Sequence, residues 1–183
     1  MGMPDTVRRY TVDEVLAFPP DGNRYELVAG ELLVTPAPAP LHQIVATRLV
    51  VQLANYLSAY ADVATVFVGP GDVFWSDQDY VQPDLLVTPA GEVINSWREC
   101  RTLLLAVEVV SPGSARYDRV TKRRLYQRVG VATYWVVDPD SRLVEVWRPG
   151  EDRPEIATEM LRWRVVPEAE ELVIDLGQIF ALR

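Results

Sequence analysis

The sequence predicts an α/β (α+β) fold, a central mixed β-sheet flanked by helices, with a hairpin towards the N-terminus. Three observations carry this prediction. The run LLLAVEVV at 103 to 110 is apolar everywhere except Glu108, which marks a central strand covered on both faces. A helical stretch from about Ser114 to Val129 stops at Gly130 and leads into TYWVV, so a strand, a helix and a strand follow one another. Elsewhere short β-prone runs come in pairs around turn residues, and no internal repeat interrupts them.

Taken in order, Thr11 to Glu14 has the spacing of a capping box that opens a short helix through Ala17, and Pro19-Pro20 ends it. RYELVAGELLVTP is two short strands around Ala29-Gly30, a hairpin. PAPAP is a stiff connector within the domain, because apolar patterning resumes at once. From His42 to about Tyr60, Ile44, Val45, Leu49, Leu53 and Leu57 recur at helical spacing. Strands are expected at 63 to 68, 72 to 75 and 84 to 87. After the crossover helix, TYWVV and LVEVW flank the turn Asp138-Pro139-Asp140.

With 183 residues and 49% hydrophobic content the chain can bury one sizeable core, so a single domain over 1 to 183 is expected. It has no apolar run of membrane-spanning length, and MGMPDTVRRY lacks the apolar core of a leader, which implies a cytoplasmic protein with no membrane partner. The lone Cys100 excludes an intrachain disulfide and a cysteine-based zinc cluster. A net charge of −8 argues against a general nucleic-acid coat. That average hides a basic segment, Arg116, Arg119, Lys122, Arg123, Arg124 and Arg128 against Asp118. Such a segment either meets a polyanion or is a solvated face paired with acidic neighbours. Lys122 is the only lysine beside 17 arginines, and a compact ammonium approaches a reacting oxygen where a planar guanidinium does not fit.

Candidate chemistry begins with Glu108, because an ionised carboxylate inside an apolar strand costs several kcal/mol unless a cation or hydrogen bonds compensate it. The compensating group is either an arginine or a metal. By period-2 alternation Glu108 shares a face with Leu104, Ala106 and Val110. Asp84 follows Pro83 at the entry of DLLV, and if that strand runs antiparallel to LLLAVEVV the two carboxylates meet at one sheet edge. Paired carboxylates repel unless a divalent cation lies between them, and hard oxygen ligands suit magnesium or manganese. Lys122 follows Asp118 by one turn and precedes Tyr126 by one turn, on a stripe with Leu125 and Val129 that faces the sheet. The plainer role for Lys122 is a surface pair with Asp118.

QPD at 82 to 84, VEVVSPGS at 107 to 114, Asp118, Lys122, Tyr126 and GVATYWVVDP at 130 to 139 together resemble the Uma family, described as putative restriction endonucleases, within the PD-(D/E)XK nuclease superfamily. The similarity runs from about Tyr10 through RYELVAGEL to LVIDLGQIFALR. It implies a restriction-endonuclease-like fold and an endonuclease acting on DNA. In that superfamily Asp84, Glu108 and the backbone carbonyl of Val109 would bind Mg2+, with Mn2+ as a substitute. A lysine two residues after the acid would support the attacking water. Here that position is Val110, and the resemblance implies that Lys122 of the following helix replaces it. It also marks Glu26 and His42 as accessory residues beside Asp118 and Tyr126, although a strand glutamate and a helix-cap histidine have ordinary structural roles as well. Arg119 and Arg123 are the expected phosphate contacts, and a homodimer is expected if both strands are cut.

Two other classes compete. A nuclease-fold nucleic-acid-binding or regulatory protein without cleavage would share the fold and be indifferent to Lys122→Ala. A carboxylate-pair hydrolase such as a glycosidase would need no metal and leaves the basic segment without a role. A Ser111 or Ser114 nucleophile is weaker still, because His42, the only histidine, is distant in sequence and no Gly-X-Ser-X-Gly turn is present.

Overall fold

The structure, a computed structural model, describes residues 8 to 181, so MGMPDTV, part of the segment inspected for a leader, and the last two residues lie outside the described residues. Thr11 caps α1 (Val12–Leu16) by the expected reciprocal bonds with Glu14. β1 (Arg24–Val28) and β2 (Glu31–Thr35) form the expected hairpin. Its two-residue turn needs positive φ at both positions, and Ala29 (51°) and Gly30 (77°) supply it.

α2 (Pro40–Leu57) starts at a proline whose missing N–H costs nothing in a first turn. Val45, Leu49, Leu53 and Leu57 form its buried stripe, whereas Ile44 is 43% exposed. One residue before Val45, Ile44 lies about 100° further round the helix and misses the core. β3 (Ala64–Val68), β4 (Val73–Ser76) and β6 (Leu85–Pro89) fall on the three expected runs. β5 (Asp79–Val81), too short to show a period, returns on β4 and pairs with β1.

β7 (Leu105–Val109) is the central strand, and the segment after it leads to β8 (Tyr134–Asp138) parallel to it. That crossover is not a plain α-helix. Tyr117–Lys122 is a π-helical turn that runs directly into α3 (Arg123–Val129), which ends at Gly130 with φ 79°. Arg123 N–H reaches back five residues to the Asp118 carbonyl, which also accepts the Tyr134 hydroxyl at 3.1 Å. Such wide turns are rare in helices and concentrate at functional sites.

β9 (Leu143–Trp147) returns antiparallel on β8, and β10 (Glu155–Ala157) edges the sheet, whose order is β10-β9-β8-β7-β6-β3. β7 and β8 are parallel and the other neighbours antiparallel, so the sheet is mixed as expected. A second sheet, β2-β1-β5-β4, includes the N-terminal hairpin, and β11 (Met160–Trp163) pairs with β12 (Leu172–Asp175) before α4 (Leu176–Ile179).

Alternation along β7 divides the core. Leu105, Val107 and Val109 pack towards α2, β11, β12 and α4, whereas Ala106 and Val110 pack towards α3 and the second sheet. Glu108 shares that second face and points at the π-helical turn. Among the described residues no helix is long and apolar enough to cross a membrane.

The approach to β6 is held by a close backbone contact: Gly69 N–H donates to the Asp84 carbonyl at 2.7 Å. A methyl group on Gly69 would stand 2.4 Å from the Pro83 carbonyl oxygen, which is backbone and cannot swing away. We expect Gly69→Ala to lose about 1–3 kcal/mol in urea denaturation. Gly113→Ala, whose added carbon meets nothing within 4 Å, should stay within about 0.5 kcal/mol of the parent.

Candidate active site

β6 runs antiparallel to β7 with Leu85 opposite Val107, and Asp84, whose N–H donates to the Val107 carbonyl at 3.0 Å, enters the sheet beside Glu108 at the end of β7. The two carboxylates therefore meet where β7 ends, as the strand directions require. Val109 N–H donates to Asp84 Oδ2 at 2.8 Å in place of a ladder partner. In a strand the carbonyl of a residue points the same way as its N–H. The Val109 carbonyl therefore faces the Asp84 side, where Pro83 has no N–H and the Gln82 N–H is bonded to Glu26 at 2.7 Å.

Asp84 is 7% exposed and engaged on both oxygens. Arg24 Nη1 lies 3.0 Å from Oδ1, and His42 Nε2 lies 2.9 Å from Oδ2. Burial acts to raise the Asp84 pKa, but the His42 contact, Arg24 and the Val109 N–H outweigh it and hold the carboxyl below its ordinary value.

Glu108 and Lys122 are each 2% exposed. Lys122 Nζ bonds Glu108 Oε1 at 3.1 Å, which also accepts the Tyr126 hydroxyl at 2.9 Å. The same ammonium lies 2.7 Å from Glu26 Oε2 and 3.3 Å from Asp118 Oδ1, so one cation serves three buried carboxylates. Glu26 is placed by β1 and braced by Gln82 N–H at 2.7 Å. Burial opposes the charge of Lys122, yet Glu108, Glu26 and Asp118 hold its pKa well above the ordinary lysine range. Burial pushes the carboxyl of Glu108 well up, with Lys122 opposing, and raises Asp118 for the same reason.

A cleft of about 230 Å³ opens between the proline-rich connector 35 to 39 and the turn 111 to 114, and Arg24, His42, Asp84, Glu108, Asp118 and Lys122 line it. Asp84, Glu108, Lys122, Glu26, His42, Asp118 and Tyr126 are thus gathered by direct contact or a shared cleft. Arg119 and Arg123 do not line it. Arg119 is held by Asp138 at 2.7 Å and Glu145 at 2.5 Å, and Arg123 stacks over Trp147 and bonds Gln127. Arg128 pairs with Asp79, so much of the basic segment is neutralised within the fold. Arg24 was not among the residues the sequence singled out. Its signal was period-2 alternation, since Arg24 shares the strand face of Glu26.

The donor set fits a hard divalent cation. Magnesium takes one or two carboxylates and completes its shell with water and substrate oxygens, and Asp84, Glu108 and the Val109 carbonyl are donors of that kind. Glu108 Oε2 accepts no hydrogen bond among the described residues. Among the described residues no three His, Cys, Asp or Glu side chains are arranged as a ready-made metal cage.

Residues 12 to 176 match the Uma2 family model, described as putative restriction endonuclease. No curated protein matches the chain. Among solved structures the fold is similar to a crystal structure of a putative nuclease belonging to DUF820 from Anabaena variabilis. The TM-score is 0.77 at 21% identity, with 93% of this chain and 97% of that chain covered. At that identity the likeness is one of fold, here a restriction-endonuclease-like mixed sheet flanked by helices.

Because the folded state holds a proton on Glu108 more tightly than the unfolded chain does, this group makes stability fall as pH rises from about 4.3 through the raised folded value. Glu108→Gln removes the charge while Glu26 and Asp118 still pair Lys122. In urea denaturation the variant should be the more stable protein at about pH 8, and its advantage should shrink towards about pH 5. Lower stability than the parent at every pH would mean that the Glu108 charge is a net stabiliser.

Proposed function

From the membership of this chain in the Uma2 family of putative restriction endonucleases, we propose that it is a metal-dependent endonuclease hydrolysing DNA phosphodiester bonds. The observation that carries this reading is the meeting of Asp84 and Glu108 at the end of β7, with the ammonium of Lys122 bonded to Glu108. In this reading Asp84, Glu108 and the Val109 carbonyl hold Mg2+ or Mn2+. When bound, the ion lowers the pKa of its water and neutralises charge on the scissile phosphate.

The protein's own side chains do the rest. Lys122 stays an ammonium under the pull of three carboxylates, so it acts as a fixed cation that orients the attacking water and stabilises developing charge, and not as a base. Tyr126 and Lys122 fix one oxygen of Glu108 and leave the other without a hydrogen bond among the described residues. His42 and the Val109 N–H fix Asp84 Oδ2. Glu26 and Asp118 hold Lys122 in place and serve as accessory acids. Arg119 and Arg123 would reach backbone phosphate outside the cleft, after giving up Asp138, Glu145 and Gln127. Two copies acting in the cytoplasm as a homodimer would cut both strands.

One observation favours the alternative of a nuclease-fold binding or regulatory protein without cleavage: both oxygens of Asp84 already have partners. Supercoiled plasmid and single-stranded DNA incubated with Mg2+, with Mn2+ and with chelator separate the two. The nuclease reading expects nicking that chelator abolishes, reduced at least about 100-fold in Asp84→Ala and Lys122→Ala. DNA binding without nicking under any metal would favour the alternative. Metal-dependent nicking that survives both substitutions would reject the site.

A further inference from the structure

We propose that Arg24 is a latch on the metal-binding aspartate: its guanidinium occupies Asp84 Oδ1 until a divalent cation claims that oxygen, and the released fork then binds a phosphate of the nucleic acid. Metal and nucleic acid therefore bind cooperatively. The inference rests on the reading of the cleft as a metal-dependent nuclease site.

The three partners of Asp84 are not equally able to leave. The Val109 N–H belongs to the central strand and cannot withdraw without disrupting it. His42 has a buried Nδ1 with no partner among the described residues, so losing Asp84 would strip the ring of its hydrogen bond at Nε2 and leave both nitrogens unpaired. Arg24 has the most exposed side chain of the contacts, 21% against 13% for His42, and its Nη1 already shares its bond with the Gln82 carbonyl at 3.2 Å. It alone holds Oδ1, whereas His42 and Val109 both hold Oδ2. Releasing Arg24 frees one whole oxygen while the carboxylate stays anchored by the other.

The charge balance favours uptake of a divalent cation. Glu26, Asp84, Glu108 and Asp118 bring four carboxylates together, and Arg24 and Lys122 are the full cations in contact with them. A divalent cation supplies the two missing charges, and the guanidinium it displaces from Oδ1 keeps its own charge for a phosphate. Once freed it lines the same cleft, and its planar fork matches two phosphate oxygens. Each ligand thus removes an obstacle to the other, and the coupling must be reciprocal.

The test measures Mn2+ binding to the free protein by calorimetry, and binding of a labelled DNA duplex by anisotropy with Ca2+ or with chelator. Wild type, Arg24→Gln and Arg24→Lys are compared after circular dichroism has checked their folding. Arg24→Gln should bind Mn2+ about tenfold more tightly than wild type, since no charged hydrogen bond has to be broken. Ca2+ should improve duplex binding about tenfold in wild type and much less in Arg24→Gln. Arg24→Lys, which keeps the charge without the fork, should fall between them, and it carries the test if the glutamine variant does not fold. Equal Mn2+ affinity, or an equal gain from Ca2+, overturns the latch while a wild type that nicks DNA leaves the nuclease reading standing. A wild type that binds no Mn2+ overturns both.

Discussion

One ammonium compensating three buried carboxylates is the constraint on which the site depends. Glu26 comes from β1, Glu108 from β7 and Asp118 from the π-helical turn, and Lys122 lies within 3.3 Å of all three. The N-terminal hairpin, the central strand and the crossover segment are tied at a single atom. Removing one partner of a buried ion pair costs about 3–5 kcal/mol, because the remaining charge has no water to turn to. Here the imbalance is built in, since the carboxylates outnumber the ammonium, and two of them take a neutral donor besides: the Gln82 N–H for Glu26 and the Tyr126 hydroxyl for Glu108. A buried excess of negative charge is relieved by protons or by cations. Burial raises the carboxyls of Glu108 and Asp118 and so favours the first route, and the cleft that Asp84 and Glu108 both line offers the second.

The fold serves this cluster by stopping strands where it needs free backbone groups. Pro83 before β6 has no N–H to donate, and the Asp84 side chain accepts the Val109 N–H at the end of β7. The π-helical turn serves it differently. The Asp118 carbonyl, shared by Arg123 N–H and the Tyr134 hydroxyl, anchors the wide turn from which Asp118 and Lys122 both face the sheet. Tyr134 stands on β8 and Tyr126 on α3, their rings 4.6 Å apart, so the hydroxyls that brace the cluster are themselves braced in the core.

Much of this was legible in the sequence where local chemistry decides structure. Glu108 in its apolar run, the capping box at Thr11, the Ala29-Gly30 turn and Gly130 announce themselves because each needs a particular residue at a particular place. Once β6 runs antiparallel to β7, the approach of Asp84 to Glu108 follows from where the two strands begin and end. What stayed hidden depends on distant partners. The Asp118 carbonyl in the π-helical turn accepts from a tyrosine on the next strand, and the residues of the turn carry no preference that separates it from an α-helix. Arg24 finds Asp84 across 60 positions. Arg119 and Arg123 seemed available to phosphate until β9 brought Glu145 and Trp147 beside them. The strands after Gly150 have three or four residues each, too few to show a period.

The claim at the centre of this account is that the carboxylates of Asp84 and Glu108, with the Val109 carbonyl, form a cation site completed by Lys122. Anomalous diffraction from crystals soaked in Mn2+ tests it most directly. The account predicts one strong peak within coordination distance of Asp84 and Glu108, with Lys122 still paired to Glu26 and Asp118. Manganese bound elsewhere while both carboxylates keep their present partners would contradict it.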